Sequence, residues 1–202
     1  MITKYTGSEK GSDVADTTPK GVYIPSDLEK KGLKLIGFSE ASHDGDGVLV
    51  GIPHDSAYRH LHIVAHVETY VDIPDNAFIG LAYLTTPDIG LKCQWSGVQY
   101  TRPETAVSWL LVNDNAHLID ASIPTQHTAA QYNVNLTRTS STVNWWNYTA
   151  TVSASSGIFR SIGGVISTGF DYFNSFRIQR STGQMTGLFV KGSYIAVYGS
   201  KY

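Results

Sequence analysis

Short apolar runs alternate with clusters of turn-forming residues from Leu33 to the C-terminus, and this alternation limits the possible folds more than any other feature. Breaks such as Asp44-Gly45-Asp46-Gly47 and Ser181-Thr182-Gly183 contain the residues that favour tight turns. Short strands with turn signals between them are typical of an all-β sandwich or barrel. The predicted strands are Leu33–Phe38, Val48–Ile52, Leu61–Val71, Phe78–Leu84, Lys92–Val98, Val107–Val112, Leu118–Ile123, Tyr132–Thr137, Thr142–Ser153, Gly164–Thr168, Ser175–Arg180 and Ile195–Tyr198.

The number of predicted strands favours a two-sheet jelly-roll-like sandwich over residues 33–202. A jelly roll limits its exposed sheet edges by folding one sheet over another. An immunoglobulin-like sandwich is the alternative, but it is shorter and has fewer strands. The composition agrees, because only 16% of the 202 residues are charged against a usual ~25%. We therefore predict an all-β domain with a substantial core.

Residues 1–32 differ from the rest of the chain. Five lysines stand among glycine, serine, threonine and aspartate, and the few apolar residues show no period. This pattern predicts an extended N-terminal arm. Fully extended, about 30 residues would reach up to ~100 Å. Pro25–Lys31 is compatible with one or two helical turns, with Ser26 as the N-cap.

Several classes of function are disfavoured by what the sequence lacks. The net charge is −2 and no Lys/Arg cluster is present, so nucleic acid is not an expected partner. No stretch reaches the ~18 apolar residues of a membrane span, and the first ten residues do not resemble a signal peptide. Cys93 is the single cysteine, which agrees with assembly in a reducing cytoplasm. No phosphate-binding, dinucleotide-binding or hydrolase motif occurs, so we expect no cofactor and no enzyme activity.

A line of histidines in the predicted strand Leu61–Val71 is the strongest chemical candidate. Alternation places Leu61, Ile63, Ala65 and Val67 on one face, and His60, His62, Val64, His66 and Glu68 on the other.

The histidine line is compatible with three interpretations. A cupin-type metal site is disfavoured, because cupin histidines point into the barrel, whereas here the apolar face of the strand is the one expected to be buried. In addition, no second histidine motif follows. His60 and His62 could instead bind a metal ion where three chains meet on an axis, since imidazole is a common metal ligand. In the third reading, His60, His62 and His66 lie at a subunit interface.

The segment Trp145-Trp146-Asn147-Tyr148 offers a second candidate site. Neighbouring residues on a strand face opposite ways, so one tryptophan is expected at the surface unless both faces are buried. An exposed tryptophan can stack on a sugar ring or anchor a protein interface. We predict Trp145, Trp146 and Tyr148 as ligand-binding or interface residues, with burial of both tryptophans as the alternative.

The C-terminal segment contains Phe173-Asn174-Ser175-Phe176-Arg177-Ile178-Gln179, Ser181-Thr182-Gly183, and Gly192-Ser193-Tyr194-Ile195-Ala196-Val197-Tyr198-Gly199. This pattern resembles the end of bacteriophage virion proteins, among them tail-fibre and head-surface jelly rolls. In the last strand, Ile195 and Val197 are expected in the core, with Tyr194, Ala196 and Tyr198 on the opposite face. The resemblance covers about 30 residues and implies no catalytic residues.

These observations together predict a non-enzymatic virion structural protein, either a capsid decoration (cement) protein or a tail-fibre attachment protein. One alternative is a tail protein that recognises a host cell-surface glycan. Another is a metal-binding or glycan-cleaving β-barrel enzyme, because scattered carboxylates do not exclude a glycosidase pair. We expect a homo-oligomer, with a trimer favoured, whose arm contacts other virion proteins after assembly in the host cytoplasm.

Overall fold

The computed structural model is all-β, and its described residues form fourteen strands and no helix. The structure describes residues 3–4, 23–24, 32–53, 58–70, 78–84, 92–101, 105–113, 117–122, 128–139, 145–155, 157, 159–167, 173, 175–180 and 189–201. The strands are β1 (Thr3–Lys4), β2 (Tyr23–Ile24), β3 (Lys34–Glu40), β4 (Val48–Gly51), β5 (His60–Glu68), β6 (Phe78–Leu84), β7 (Lys92–Thr101), β8 (Thr105–Asn113), β9 (His117–Ser122), β10 (Ala129–Arg138), β11 (Trp145–Ala154), β12 (Phe159–Ser167), β13 (Ser175–Arg180) and β14 (Tyr194–Ser200). The twelve predicted runs correspond in order to β3 through β14.

The strands form two large antiparallel sheets and one small one. The eight-stranded sheet has the order β3-β14-β5-β10-β11-β12-β7-β8, and the four-stranded sheet has the order β4-β13-β6-β9. The two-residue strands β1 and β2 pair with each other in a separate sheet. Sequence-distant strands such as β3 and β14 are neighbours, so the sheets are assembled mainly by long-range pairing.

The pairing pattern is that of a jelly roll. An antiparallel ribbon pairs β3 with β14, β4 with β13, β5 with β10, and β6 with β9. The ribbon folds over so that β14 also pairs with β5 and β13 also pairs with β6. These eight strands form the two Greek keys of a jelly roll. Strands β11, β12, β7 and β8 widen one sheet, and the predicted two-sheet jelly-roll sandwich is confirmed.

The core lies between the two large sheets, and strand alternation selects its residues. Every second residue of β5, β10 and β11 is buried, and β4 and β13 supply the facing residues. On β5 the buried residues are the four that were predicted. Each large aliphatic side chain contributes about 1.5–3 kcal/mol by leaving water. The facing core residues are Leu61, Ile63, Ala65 and Val67; Ala130, Tyr132, Val134 and Leu136; Trp146, Tyr148, Ala150 and Val152; and Val48, Val50, Phe176 and Ile178.

Strand β14 is buried on both of its faces. Ile195 and Val197 lie in the main core, as predicted. On the opposite face Ala196 and Tyr198 are only 1% and 2% exposed. They pack in a second, smaller cluster with Leu33, Leu35, Phe38, Val64 and Tyr194. A strand that is covered on both faces has a nearly continuous apolar sequence, and residues 195–198 have such a sequence.

The predicted turn Asp44–Gly47 connects β3 to β4. The Asp46 carboxylate accepts hydrogen bonds from the backbone N–H groups of Ser42 and His43, at 2.9 and 3.0 Å, and from the Ser42 hydroxyl at 2.8 Å. These hydrogen bonds, that from the Ser42 hydroxyl first, lower the pKa of the Asp46 carboxyl. An aspartate that accepts N–H groups earlier in its own loop is a local turn device. The carboxylate therefore holds the turn in place.

The predicted arm, residues 1–32, is described at five positions. Thr3–Lys4 and Tyr23–Ile24 form the small β1–β2 sheet, and Gly32 precedes the sandwich with a φ of 69°. A glycine with positive φ is a common device where the chain changes direction. The remaining arm residues, including the predicted helical turns at Pro25–Lys31, lie outside the described residues.

Candidate functional site

The candidate site is a polar surface on the eight-stranded sheet, on the side away from the four-stranded sheet. We call it the polar face and define it by the outward hydrogen-bonding side chains of β10, β11 and the neighbouring part of β12; the outward residues Trp145, Phe159 and Val165 lie at its edge. None of its described side chains is Asp, Glu, Lys or Arg. The face therefore presents neutral amide and hydroxyl groups. Its residues are Gln131, Asn133, Asn135, Thr137, Asn147, Thr149, Thr151, Ser153 and Ser161.

The histidine line of β5 forms one border of the polar face, because β5 pairs directly with β10. His60 lies opposite Thr137, His62 opposite Asn135, and His66 opposite Gln131. All three imidazoles are at least partly exposed, and His66 is the most open of them. The predicted face assignment along β5 is confirmed, and the histidines adjoin a row of amides on the next strand.

Hydrogen bonds from β10 fix the orientation of two of these imidazoles. His62 Nδ1 lies 2.6 Å from Asn135 Oδ1, and His60 Nδ1 lies 3.2 Å from Thr137 Oγ1. An amide oxygen can only accept, so the hydrogen is on His62 Nδ1. In the neutral ring the lone pair is then on Nε2. The site thus combines an oriented imidazole acceptor with the Asn135 amide donor.

A depression of about 290 Å³ lies over these two histidines. It is bounded by β5, β10, the end of β14 and the residue before β3. Five of the eight residues that line it carry hydrogen-bonding side chains, and the other three are leucines, of which Leu33 is the least buried. The residues that line it include Leu33, His60, His62, Asn135, Thr137 and Ser200.

Aromatic rings extend the site on the far side of β5. The Phe38 and Tyr194 rings are stacked with centroids 5.9 Å apart. The Tyr194 ring lies 6.2 Å from His66, and the Tyr198 ring lies 6.1 Å from His62. Pairs at these separations have the tilted or offset arrangements that rings prefer. The histidine line is therefore held between an aromatic cluster and the polar face.

Alkaline pH is expected to destabilise the fold through Tyr198. Burial, with a smaller contribution from Tyr194, raises the pKa of the Tyr198 phenol from 10.0 to about 12. Because the folded pKa is the higher one, this stability is present below about pH 10 and is lost as the pH rises through about 12. We expect the free energy of unfolding of the wild type to fall across this range more than that of Tyr198→Phe. Urea denaturation at several pH values measures it, with Tyr70→Phe, at an exposed position, as the control. Equal declines in wild type and Tyr198→Phe would contradict the assignment.

The two tryptophans of β11 lie on opposite faces. Trp145 is 50% exposed at the end of the polar face, whereas Trp146 is 1% exposed and packs edge-on against Phe173 at 5.2 Å. Tyr148 is also buried in the core. The prediction of a ligand-binding role therefore needs correction for Trp146 and Tyr148, because alternation along β11 turns both rings inward. Of the three, Trp145 alone has an exposed ring, and its role in ligand binding stays a prediction.

The metal and interface predictions for the histidine line concern an assembly of several chains. In the described part of a single chain, no group of three or more His, Cys, Asp or Glu residues is placed to hold a metal ion. Binding of a metal by His60 and His62 on a trimer axis stays a prediction. The subunit interface at His60, His62 and His66 stays a prediction as well.

The amide row of β10 was not singled out from the sequence. The segment Ala129–Arg138 alternates apolar residues with Gln131, Asn133, Asn135 and Thr137, so the signal of a polar strand face was present. Its importance comes from the pairing of β10 with β5, which brings the amides beside the histidines. Strand pairing over about 70 residues of sequence cannot be read from a local pattern.

Comparison with protein-family models, with curated proteins and with solved structures gave no match. None of the described residues belongs to a helix long and apolar enough to cross a membrane. A jelly-roll fold hosts many unrelated functions, so the function has to be inferred from the polar face and its borders.

Proposed function

We propose that this chain is a non-enzymatic surface protein of a bacteriophage virion, which attaches to a glycan of the host cell surface through the polar face. The observation that carries the proposal is an array of nine described amide and hydroxyl side chains, all but Thr151 exposed, with no charged side chain among the described outward residues of β10, β11 and β12. The oriented histidines on one side and the exposed ring of Trp145 at one end complete the surface.

The chemistry of the polar face favours carbohydrate over other partners. Nucleic acid is recognised by Lys and Arg clusters, and the described side chains of this face include neither. A protein interface has an apolar centre within a polar rim, whereas this surface is polar at its centre. Sugar hydroxyls both donate and accept hydrogen bonds, as amides, hydroxyls and imidazoles do. A neutral glycan is therefore the partner that this face fits best.

The virion assignment is supported by the position of the C-terminal pattern in the fold. The segment that resembles bacteriophage virion proteins forms β13 and β14, which lie within the two sheets of the jelly roll. Viral capsid proteins and lectins both use this fold. A jelly roll with a carbohydrate-binding face would serve attachment of the particle.

An adsorption experiment tests the attachment function. Thr149 is exposed, pairs with Asn135 across β10 and β11, and lies at the centre of the polar face. We expect Thr149→Arg to raise the concentration of purified chain that blocks phage adsorption to host cells by about tenfold or more, because the arginine covers neighbouring hydrogen-bonding groups.

The matched control places the same charge on the outer face of the other sheet. Leu49 of β4 is 44% exposed there, so Leu49→Arg is expected to leave competition unchanged. Both changes are at exposed positions, and each is expected to alter stability by less than about 0.5 kcal/mol. The attachment function is wrong if the wild-type chain does not compete with phage for host cells, or if the two variants lose competition equally.

A capsid decoration protein is the second candidate, and the separate β1–β2 sheet favours it. This small sheet shows that part of residues 1–32 folds outside the two sheets of the sandwich. An appendage of this kind could hold neighbouring capsid subunits, and a homo-oligomer, with a trimer favoured, agrees with either role. Immunogold labelling of virions separates the candidates. Label on the tail supports attachment, and label confined to the head supports decoration.

A further inference from the structure

We propose that the depression over His60 and His62 is a subsite for one uncharged pyranose ring, and that Trp145 stacks on a second ring of the same oligosaccharide. This inference rests on the proposed glycan-binding function and deepens it. It specifies the charge of the ligand, its minimum length, and the residues that hold each of the two rings.

The size of the depression limits its occupant. Pockets for drug-sized ligands have volumes of roughly 300–1,000 Å³. At about 290 Å³ the depression lies at the lower end of this range, which suits a single sugar ring. Leu33 provides an apolar contact for the C–H groups of the ring, and the hydrogen-bonding groups lie on the other sides.

The hydrogen-bonding groups of the depression fit a neutral sugar. Asn135 Oδ1 accepts the hydrogen of His62 Nδ1, so the Asn135 amide can offer its Nδ2 hydrogens to a ligand. The Thr137 hydroxyl, in contact with His60, can both donate and accept. A carboxylate-bearing sugar would need Lys or Arg to offset the loss of its hydration. None of the eight residues that line the depression is Lys or Arg, which is why we specify an uncharged ring.

Trp145 is too far from His60 and His62 to contact a ring that lies over them. It is two strands from β5 and one side-chain row beyond His60, so the backbone positions of Trp145 and His60 are about 12 Å apart. Its ring is 50% exposed at the end of the polar face. Aromatic side chains with one open face are suited to stack on the apolar side of a sugar. The ligand therefore spans from the depression, past Asn147, to Trp145.

NMR titration of the full-length ¹⁵N-labelled chain tests this inference. The probes are D-glucose, D-galactose, D-mannose and L-rhamnose, a neutral linear tetrasaccharide of each, and D-glucuronic acid as the charged analogue. We expect at least one neutral monosaccharide to shift the amide signals of His62 and Asn135. Its tetrasaccharide is expected to bind about five- to tenfold more tightly, because the second ring reaches Trp145. Glucuronic acid is expected to bind more weakly than the neutral sugars.

Three variants separate the two rings. Asn135→Ala is expected to weaken monosaccharide and tetrasaccharide alike by about tenfold, through loss of hydrogen bonds to the first ring. Trp145→Ala is expected to weaken the tetrasaccharide about five- to tenfold and to leave the monosaccharide unchanged. Phe159→Ala is the matched control, because Phe159 is also an exposed ring, at 40%, but lies opposite Ser153, at the far end of the β11–β12 pair from Trp145. Its removal is expected to change neither affinity.

Several results would overturn the inference. These are no shift of the His62 and Asn135 signals with any neutral sugar, tighter binding of glucuronic acid, or equal effects of Trp145→Ala and Phe159→Ala. Thermal unfolding of each variant shows whether a loss of binding reflects a loss of folding.

The proposed function can fail independently of the proposed subsite. A chain that blocks adsorption through the polar face but binds none of these sugars refutes the subsite alone. A chain that binds them but is absent from virions refutes the virion assignment alone.

Discussion

Replacement of Trp146 by alanine is expected to lower the free energy of unfolding by about 3–5 kcal/mol, the range for removing a large aromatic side chain from a protein core. Trp146 is among the largest fully buried side chains of the described chain. Its ring packs edge-on against Phe173 at 5.2 Å, and Phe173 lies 5.3 Å from Phe176. These rings connect β11 to the four-stranded sheet through β13. Their loss would leave a cavity between the two sheets.

The neighbouring tryptophan provides the control for this prediction. Trp145→Ala removes the same side chain from an exposed position, so the free energy of unfolding is expected to change by less than about 0.5 kcal/mol. Urea denaturation followed by circular dichroism measures both variants. A larger loss from Trp145→Ala than from Trp146→Ala would mean that β11 has the opposite facing, and the polar face as defined would not exist.

Gly37→Ala is expected to destabilise the sandwich by about 1–3 kcal/mol, because a methyl group at this position overfills the space between the sheets. A Cβ at Gly37 would lie 2.8 Å from Val50 Cγ2 and 2.9 Å from the backbone oxygen of Gly51. The second of these contacts is with backbone, which cannot turn away as a flexible side chain can. Either β3 or β4 would have to shift.

Gly51→Ala is the matched control for Gly37→Ala. A Cβ at Gly51 would meet no atom within 4 Å, although Gly51 is also a strand glycine and lies in the region that contacts Gly37. We expect its free energy of unfolding to equal or exceed that of the wild type, since alanine restricts the unfolded chain more than glycine does. Equal destabilisation by the two substitutions would show that β3 and β4 are not closely packed at Gly37.

Strand positions and facing could be predicted from the sequence because both depend on local patterns. Turn residues such as Ser181-Thr182-Gly183 mark where β13 ends, and alternation along residues 60–68 assigns each side chain of β5 to its face. The last strand is an example, since Ile195 and Val197 were predicted to lie in the core and do so. These features need no knowledge of which strands are neighbours.

Strand pairing and the choice between the two tryptophans could not be predicted. In Trp145-Trp146-Asn147-Tyr148 both alternating sets contain an aromatic residue, so the local pattern does not show which set faces the core. The facing is decided by contact with Phe173, far along the chain. The depression depends likewise on the pairing of His62 with both Asn135 and Tyr198. Long-range contacts of this kind determine the candidate site.

The most direct test of carbohydrate binding by the polar face is an NMR map of the full-length chain titrated with polysaccharide purified from the host envelope. We predict that the amide signals that shift lie in β5, β10 and β11, with the largest changes at His62, Asn135 and Thr149. These three residues lie in one row across neighbouring strands. The absence of any shift, or shifts confined to Leu49 and Arg177 on the four-stranded sheet, would contradict this account.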